Sequence, residues 1–322
     1  MSTRRVLLEA LAIILVLAQG WPARARERSR AELHPSPRFA PPRRQTRPLH
    51  TAPPVGAARH PFRVAAIQYG SGDHARVGAG GDVDAVESLV RRAHSSGARL
   101  VVTPEYAMGN TVEPVPRLHS NPGREASGAG DSAVRRFSAL SRQLGIYLVT
   151  NVLTAKPAGR RPNQREYFNT QVAFDPRGEI VAVHNKFNLF AGENQVLTPG
   201  RSVSTFETPA GRVGMLICAD IYADYNGQHS DGGLLRRLVE QRSPRIVAFS
   251  SHWTVDRPAH WNPINIQRKF ARDACVYLVG ANTTAGPGRG GGVFDPFGRP
   301  LDMRVSHEPS IVYADIETPG GR

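Results

Sequence analysis

Residues 62–105 read FRVAAIQYGSGDHARVGAGGDVDAVESLVRRAHSSGARLVVTPE. Phe62–Tyr69 is a mostly apolar run of strand length. Asp82–Ser96 then sets Val83, Val86, Leu89, Val90 and Ala93 on one helical face, and Gly97 stops the helix. Arg99–Thr103 is again aliphatic and β-branched, and it ends in Pro104-Glu105. Strands and helices go on alternating along the rest of the chain, with no internal repeat of 20–50 residues.

Further along, Asp131 is expected to cap a helix in which Val134, Phe137, Leu140 and Leu144 recur at helical spacing before Gly145. Strands are expected near 146–152, 168–174 and 179–187, the last two joined by an Asp175-Pro176-Arg177-Gly178 turn. More strands follow near 203–207, 212–218, 245–250, 276–281 and 311–316, with helices at about 232–241 and 263–274. Alternation from end to end predicts a single α/β domain with buried, hydrophobic strands.

The 322-residue chain can bury a substantial core, and its 40% apolar and 21% charged residues exclude collagenous, fully disordered and polytopic membrane classes. Two cysteines exclude a disulfide-dense scaffold and a four-thiolate zinc site. Of the formal charge of +14, residues 1–61 carry +8 through 11 Arg against 3 Glu, which leaves +6 for the remainder. Residues 1–25 read as an export signal: Arg4-Arg5, an apolar stretch from Val6 to Ala18, then Ala23-Arg24-Ala25 at the cleavage position. Thirteen apolar residues are short for the ~20 that span a bilayer, so no membrane span is expected after cleavage, and the destination is periplasmic or secreted. Residues 26–61, with eight Pro and eight Arg, read as a disordered basic linker ahead of a folded domain over 62–318.

Three reactive side chains stand where strands are expected to end. Cys218 follows Val213-Gly214-Met215-Leu216-Ile217, and ligands of α/β sheets gather at such ends. A lone thiol in an apolar run is more often structural, a description that also fits Cys275. Lys186 is one of only three lysines and is flanked by Val181-Ala182-Val183 and Phe187-Asn188-Leu189-Phe190. An ammonium there either meets a carboxylate or oxyanion, or snorkels to water. Glu105 closes its strand as a base or as an ordinary acid at a turn. Together they would make a machine of thiol nucleophile, carboxylate base and oxyanion-binding cation, because a free thiol is only a few per cent ionised at pH 7 and needs activation.

Three segments carry a resemblance. Val101-Val102-Thr103-Pro104-Glu105-Tyr106, His184-Asn185-Lys186-Phe187-Asn188-Leu189-Phe190 and Gly214-Met215-Leu216-Ile217-Cys218-Ala219-Asp220 resemble the signature segments of the carbon-nitrogen hydrolase (nitrilase) superfamily, in order and with gaps of 81 and 32 residues. The resemblance looks closest to the biotinidase and vanin (pantetheinase) branch, whose members are also exported. It implies a four-layer α-β-β-α sandwich and a Glu105-Lys186-Cys218 triad that cleaves a non-peptide amide through a cysteine acyl-enzyme. It also implies that the N–H of Ala219 helps hold the oxyanion, that Glu193 positions the substrate or lysine, and that a homodimer through the sandwich face is an open option, as relatives often form one. The Arg that many members carry two residues after the Asp is absent, since Ile221-Tyr222 follows Asp220.

Tyr106, His252 and Trp253 lie just past strand ends, where they would line a substrate pocket or simply pack. The His-Trp pairs at 252–253 and 260–261 lack a metal-ligand pattern, and Gly286–Gly292 lacks the Gly-Lys-Ser/Thr ending of a phosphate loop, so neither metal nor cofactor is expected. The expected partner is a small-molecule amide and no specific nucleic acid. Two readings compete with the amidase: a nitrile hydrolase using the same triad, and a non-catalytic basic binder of anionic polymer whose salt-dependent retention would vanish on deleting residues 26–61. Because a nucleophile must be free, thiol counting on the unreduced, denatured protein is expected to give two; a count of zero would contradict the enzymatic reading.

Overall fold

The computed structural model describes residues 61–70, 81–108, 112–124, 132–158, 161–221, 233–254 and 262–318. The expected export signal, nearly all of the linker, the Asp131 cap and the His260-Trp261 pair lie outside the described residues. The first half runs β1 (Pro61–Gln68), α1 (Gly81–Ser95), β2 (Leu100–Val102), β3 (Val112–Pro114), α2 (Ala133–Leu144), β4 (Tyr147–Ala158), β5 (Arg161–Phe174) and β6 (Ile180–Asn185). The second runs β7 (Thr205–Thr208), β8 (Gly211–Ile217), α3 (Gly233–Arg242), β9 (Ile246–Ser250), α4 (Pro263–Ala274), β10 (Tyr277–Ala281), β11 (Gly291–Phe294), β12 (Pro300–Arg304) and β13 (Ser310–Glu317).

The strands form two sheets. One has the order β13-β1-β2-β4-β5-β6, with β3 pairing on β4; the other has the order β12-β11-β10-β9-β8-β7. The period of two along each strand builds the layers. In β1, Ala65 and Ile67 face α1 and α2, while Phe62, Val64 and Ala66 face the other sheet. In β9, Ile246 and Ala248 face the first sheet, while Val247 and Phe249 turn outward to Leu234 and Leu238 of α3 and to Phe270 and Ala271 of α4. Three apolar layers between four layers of secondary structure make the expected α-β-β-α sandwich.

Local chemistry fixes the helix ends. Ser132, one residue past the expected cap, accepts from the Arg135 N–H at 3.4 Å, and the buried Glu113 accepts from the Ala133 N–H at 2.8 Å and the Ser132 hydroxyl at 2.6 Å. In α4, Asn262 caps the Ile264 N–H at 3.0 Å with Pro263 in the first turn. Cys275, expected to be buried, is exposed instead: it is the left-handed C-cap of α4, with φ 54°, and the cap geometry turns its side chain out of the core. Both cysteines are free.

The β4–β5 hairpin is longer than its apolar stretch because the ladder continues through Lys156 and Pro157, which are exposed and carry no hydrophobic signal. Strands β11 and β12 carry no strand signal either. Gly291 and Gly292 lie too close to their neighbours for a side chain, and β12 is largely exposed. Among the described residues no helix is long and apolar enough to cross a membrane.

Strand polarity decides where chemistry can gather. β2 runs parallel to β4, and β6 is antiparallel to β5, itself antiparallel to β4, so β2 and β6 end on the same side. β8 and β9 are parallel in the other sheet, and the Glu105 N–H donates to the Ser251 carbonyl at 3.3 Å across the sandwich. The loop after β6 is held by Gly200, whose N–H donates to the Lys186 carbonyl at 2.8 Å and whose missing Cβ would sit 2.1 Å from the Asn185 oxygen. Gly200→Ala is therefore expected to destabilise the fold by about 1–3 kcal/mol, as overpacking does. Urea unfolding measures this, and an unchanged midpoint would contradict the close approach.

Candidate active site

Four strand ends supply the site. β2 delivers Glu105 and Tyr106, β6 delivers Lys186, β8 delivers Cys218, and β9 delivers His252 and Trp253. Tyr106 and Cys218 both have left-handed backbone, with φ of 57° and 45°. That conformation is costly for residues with a Cβ and recurs where a side chain must be aimed out of a strand. In Cys218 it opens a single turn of 3-10 helix, Cys218–Ile221, all four residues of which are buried.

Lys186 is 2% exposed, and its Nζ lies 2.7 Å from Glu105 Oε1 and 2.8 Å from Glu193 Oε2. Glu193 sits on a 3-10 turn, Ala191–Gln195, and its Oε2 accepts from the Phe190 N–H at 2.7 Å, so the segment that carries it is closed by its own carboxylate. Its Oε1 accepts from the Tyr106 hydroxyl at 2.5 Å. Asn169, fully buried on β5, donates to Glu105 Oε1 at 2.8 Å and accepts from Asn151 at 2.7 Å; Asn151 in turn accepts from the Tyr106 N–H at 2.9 Å. Oε1 of Glu105 thus receives two donors, and among the described residues no protein hydrogen bond reaches its Oε2.

Burial and charge compete at these groups. Burial pushes the Glu105 carboxyl above the ordinary glutamate value; Lys186 opposes that and Glu193 reinforces it. Burial would lower the Lys186 ammonium, yet Glu105 and Glu193 outweigh it and hold the group well above the usual lysine range. Burial, then Glu105, raises the Cys218 thiol well above its ordinary value, while Lys186 and the backbone N–H of His252, which donates to the sulfur, pull it down. The thiol is therefore in the field of all three charged groups and is neutral at rest. The Tyr106 hydroxyl is raised by burial and by Glu193, and remains a donor.

The sequence candidates divide by surroundings. Glu105, Lys186 and Glu193 form one hydrogen-bonded cluster beside Cys218, and Ala219 is fully buried next to the thiol. The His252 ring meets Tyr106 edge-on at 6.1 Å. The Trp253 ring packs at 5.4 Å from Phe249 in the outer apolar layer, and the residue's backbone N–H donates to Asn282 Oδ1 at 3.0 Å.

Sequence reasoning missed Asn169, His184 and Asp220 as parts of the site. Asp220 Oδ1 accepts from the N–H groups of Phe187 and Asn188 at 2.9 and 2.7 Å; its Oδ2 accepts from the Ile217 N–H at 3.0 Å and His184 Nε2 at 2.8 Å. The available signal was a run of polar residues, Asn169-Thr170-Gln171, inside an apolar strand, and a carboxylate directly after another such strand. Among the described residues no group of three or more His, Cys, Asp or Glu side chains is arranged to hold a metal ion.

A profile of the carbon-nitrogen hydrolase family matches residues 63–320. The omega-amidase NIT2 of Danio rerio is 28% identical over 282 residues, covering 80% of this chain and 88% of its own. The Mus musculus pantetheinase is 32% identical over 263 residues, covering 75% of this chain but 48% of its own length. Relatives of both kinds match, and neither is preferred. An amidase from Nesterenkonia sp. AN1 superposes with a TM-score of 0.61 at 22% identity, covering 82% of this chain and 93% of that one, which bears on the fold.

Lys186→Met would leave two buried carboxylates facing each other without a cation, a loss of about 3–5 kcal/mol. With its pKa raised on folding, Lys186 contributes fully below the unfolded lysine value of about 10.4, and that contribution is lost as pH rises through the higher folded value. In the variant the penalty on Glu105, whose carboxyl burial already raises, is relieved as pH falls and it protonates. Urea unfolding is expected to give a larger deficit relative to wild type at pH 8 than at pH 5; equal stabilities at pH 8 would contradict the pairing.

Proposed function

The chain belongs to the carbon-nitrogen hydrolase family, and we propose that it hydrolyses a linear, non-peptide amide through an acyl-enzyme on Cys218, with Glu105 and Lys186 completing the triad. The observation that carries this reading is the buried ammonium of Lys186 at 2.7 Å from Glu105, beside a thiol that feels both.

In this mechanism Glu105 takes the thiol proton on Oε2, the oxygen left open by Lys186 and Asn169. The thiolate adds to the amide carbonyl carbon, and the carbonyl electron pair moves onto oxygen. Two of the three ammonium N–H donors of Lys186 are engaged by Glu105 and Glu193, and the third, together with the Ala219 N–H, meets that oxyanion. Such a donor is worth about 2.7–4 kcal/mol. Collapse breaks the C–N bond, and the amine leaves with the proton held by Glu105. Glu105 then takes a proton from water, the hydroxide attacks the thioester, and the acid is released as the thiol is restored. Glu193 holds Lys186, and Tyr106 and His252 form a wall on that side of the site.

The amide is assigned at the level of class. The omega-amidase likeness spans most of that relative, whereas the pantetheinase likeness has higher identity over about half of its length. The same reading takes residues 1–25 as an export signal, 26–61 as a tether and 62–318 as the hydrolase domain, with the protein acting outside the cytoplasm.

A panel of biotinyl, pantothenoyl and simple aliphatic amides, with mass spectrometry of the Cys218 peptide, tests the mechanism. Cys218→Ala is expected to abolish turnover with the fold intact, and wild type to carry the acyl mass on Cys218. Full activity in that variant, or turnover of nitriles without amides, would overturn the assignment. Because protonation of Glu105 removes the base, kcat/KM is expected to fall on acidification with a midpoint above the ordinary glutamate value of about 4.3. A midpoint below it would remove Glu105 from that role.

A further inference from the structure

Lys186 and Cys218 belong to different sheets, so their separation depends on what ties β6 to β8. Asp220 is 0% exposed and its side chain bonds to both sides of that junction, which the Asn188 side chain also crosses with a longer bond of 3.4 Å to the Ala219 carbonyl. Its Oδ1 takes the N–H groups of Phe187 and Asn188, the two residues that directly follow the lysine. Its Oδ2 takes the N–H of Ile217, the residue before the cysteine, and Nε2 of His184, two residues before the lysine. Lys186 is therefore bracketed: His184 on one side and Phe187-Asn188 on the other close on one carboxylate, itself two residues beyond Cys218. His184 is also 0% exposed, and among the described residues its Nδ1 has no hydrogen-bond partner. Among the described residues the ring's one hydrogen bond is to the Asp220 carboxylate, toward which Nε2 acts as the donor.

We propose that Asp220, with His184 as its fourth donor, is the positioning residue of the reaction: it sets the distance and orientation between the Lys186 ammonium and the Cys218 thiol across the two sheets, without itself touching substrate. The inference rests on the triad reading above. Four donors on one carboxylate cannot be served by an amide. In Asp220→Asn the NH2 group must face either the two N–H groups after Lys186 or the Ile217 N–H and His184. One half of the bracket is then lost while the side chain's volume is kept.

The test compares Asp220→Asn with wild type and with Ser138→Ala. Ser138 on α2 likewise has a fully buried hydroxyl that bonds to the chain, at 2.6 Å to the Gly178 carbonyl and 3.0 Å from the Gly123 N–H, but it has no bond to the site. Two quantities are read: kcat and KM for the preferred amide, and the rate at which iodoacetamide alkylates Cys218, with the exposed Cys275 as reference in the same molecule. Positioning predicts a fall in kcat of about 10²-fold in Asp220→Asn with KM little changed, the scale on which a displacement of about 1 Å acts. It also predicts slower alkylation of Cys218 relative to Cys275, because the thiol loses the alignment that activates it. Simple loosening has the opposite sign, since a buried thiol that becomes accessible reacts faster. Should Asp220→Asn not fold, His184→Leu, which removes one donor and leaves the carboxylate, carries the same two expectations at about tenfold. A kcat equal to that of Ser138→Ala, or faster alkylation of Cys218, would overturn the proposal. A wild type that turns over no amide would sink the amidase reading instead, and the alkylation comparison would still decide the role of Asp220.

Discussion

A lysine ammonium that has left water must be answered by negative charge within hydrogen-bonding distance, and Lys186 is answered twice, by Glu105 and Glu193. Much of the surrounding structure follows from that constraint. Two carboxylates against one cation would leave an excess of negative charge in an apolar interior, so each is tied down by neutral donors: Asn169 on Glu105, and the Tyr106 hydroxyl and the Phe190 N–H on Glu193. Asn169 in turn needs Asn151, which holds the N–H of Tyr106 in its left-handed turn. The polar centre is a connected network in which few members can be changed without stranding another.

The sandwich makes this network possible and also creates its main difficulty. Parallel strands in each sheet bring reactive ends to one side, but the base and cation ride on one sheet and the thiol on the other. The two sheets meet mostly through small and branched apolar side chains, which fix a spacing without directing any particular pair of atoms. Directional contacts must supply the alignment. Near the site these include Glu105 N–H to Ser251, the Ser250 hydroxyl to the Thr103 carbonyl at 2.7 Å, Gln171 to Ser250 at 2.7 Å, and the bracket on Asp220. Buried polar residues in these strands are thus hinges between layers, where an all-apolar interface would slide.

How legible this was in the sequence depends on the distance over which each residue acts. Apolar periodicity marked α1, α2, β1 and β2 because burial is decided by near neighbours, and the three reactive residues stood out because each closes such a run. The ends of β4, and β11 and β12, left no trace, because ladder pairing with a neighbour extends or builds them where side-chain pattern does not. Cys275 was misread because its place at a helix end outweighs the apolar residues beside it. Asn169 and Asp220 are the sharper case. Their side chains act on residues 64 and 33 positions away, so in sequence they are only a polar interruption and a terminal acid. The motif segments pointed to the atoms proposed to react; the scaffold that aligns those atoms is a property of the folded contacts.

The same contacts account for a thiol whose proton is held more tightly than usual in a site proposed to use it as a nucleophile. Burial raises the Cys218 thiol, and it raises the Glu105 carboxyl as well. Releasing either proton to solvent is therefore disfavoured. Moving a proton from one to the other leaves the net charge of the cavity unchanged, with the Lys186 ammonium in the field of two anions before the transfer, Glu105 and Glu193, and of two after it, Glu193 and the thiolate. What governs the step is the difference between the two proton affinities, and burial, acting on both in the same direction, largely cancels from that difference. In the proposed mechanism a buried carboxylate next to a buried thiol can therefore generate the nucleophile when an electrophile is in place, while the sulfur stays protonated in its absence.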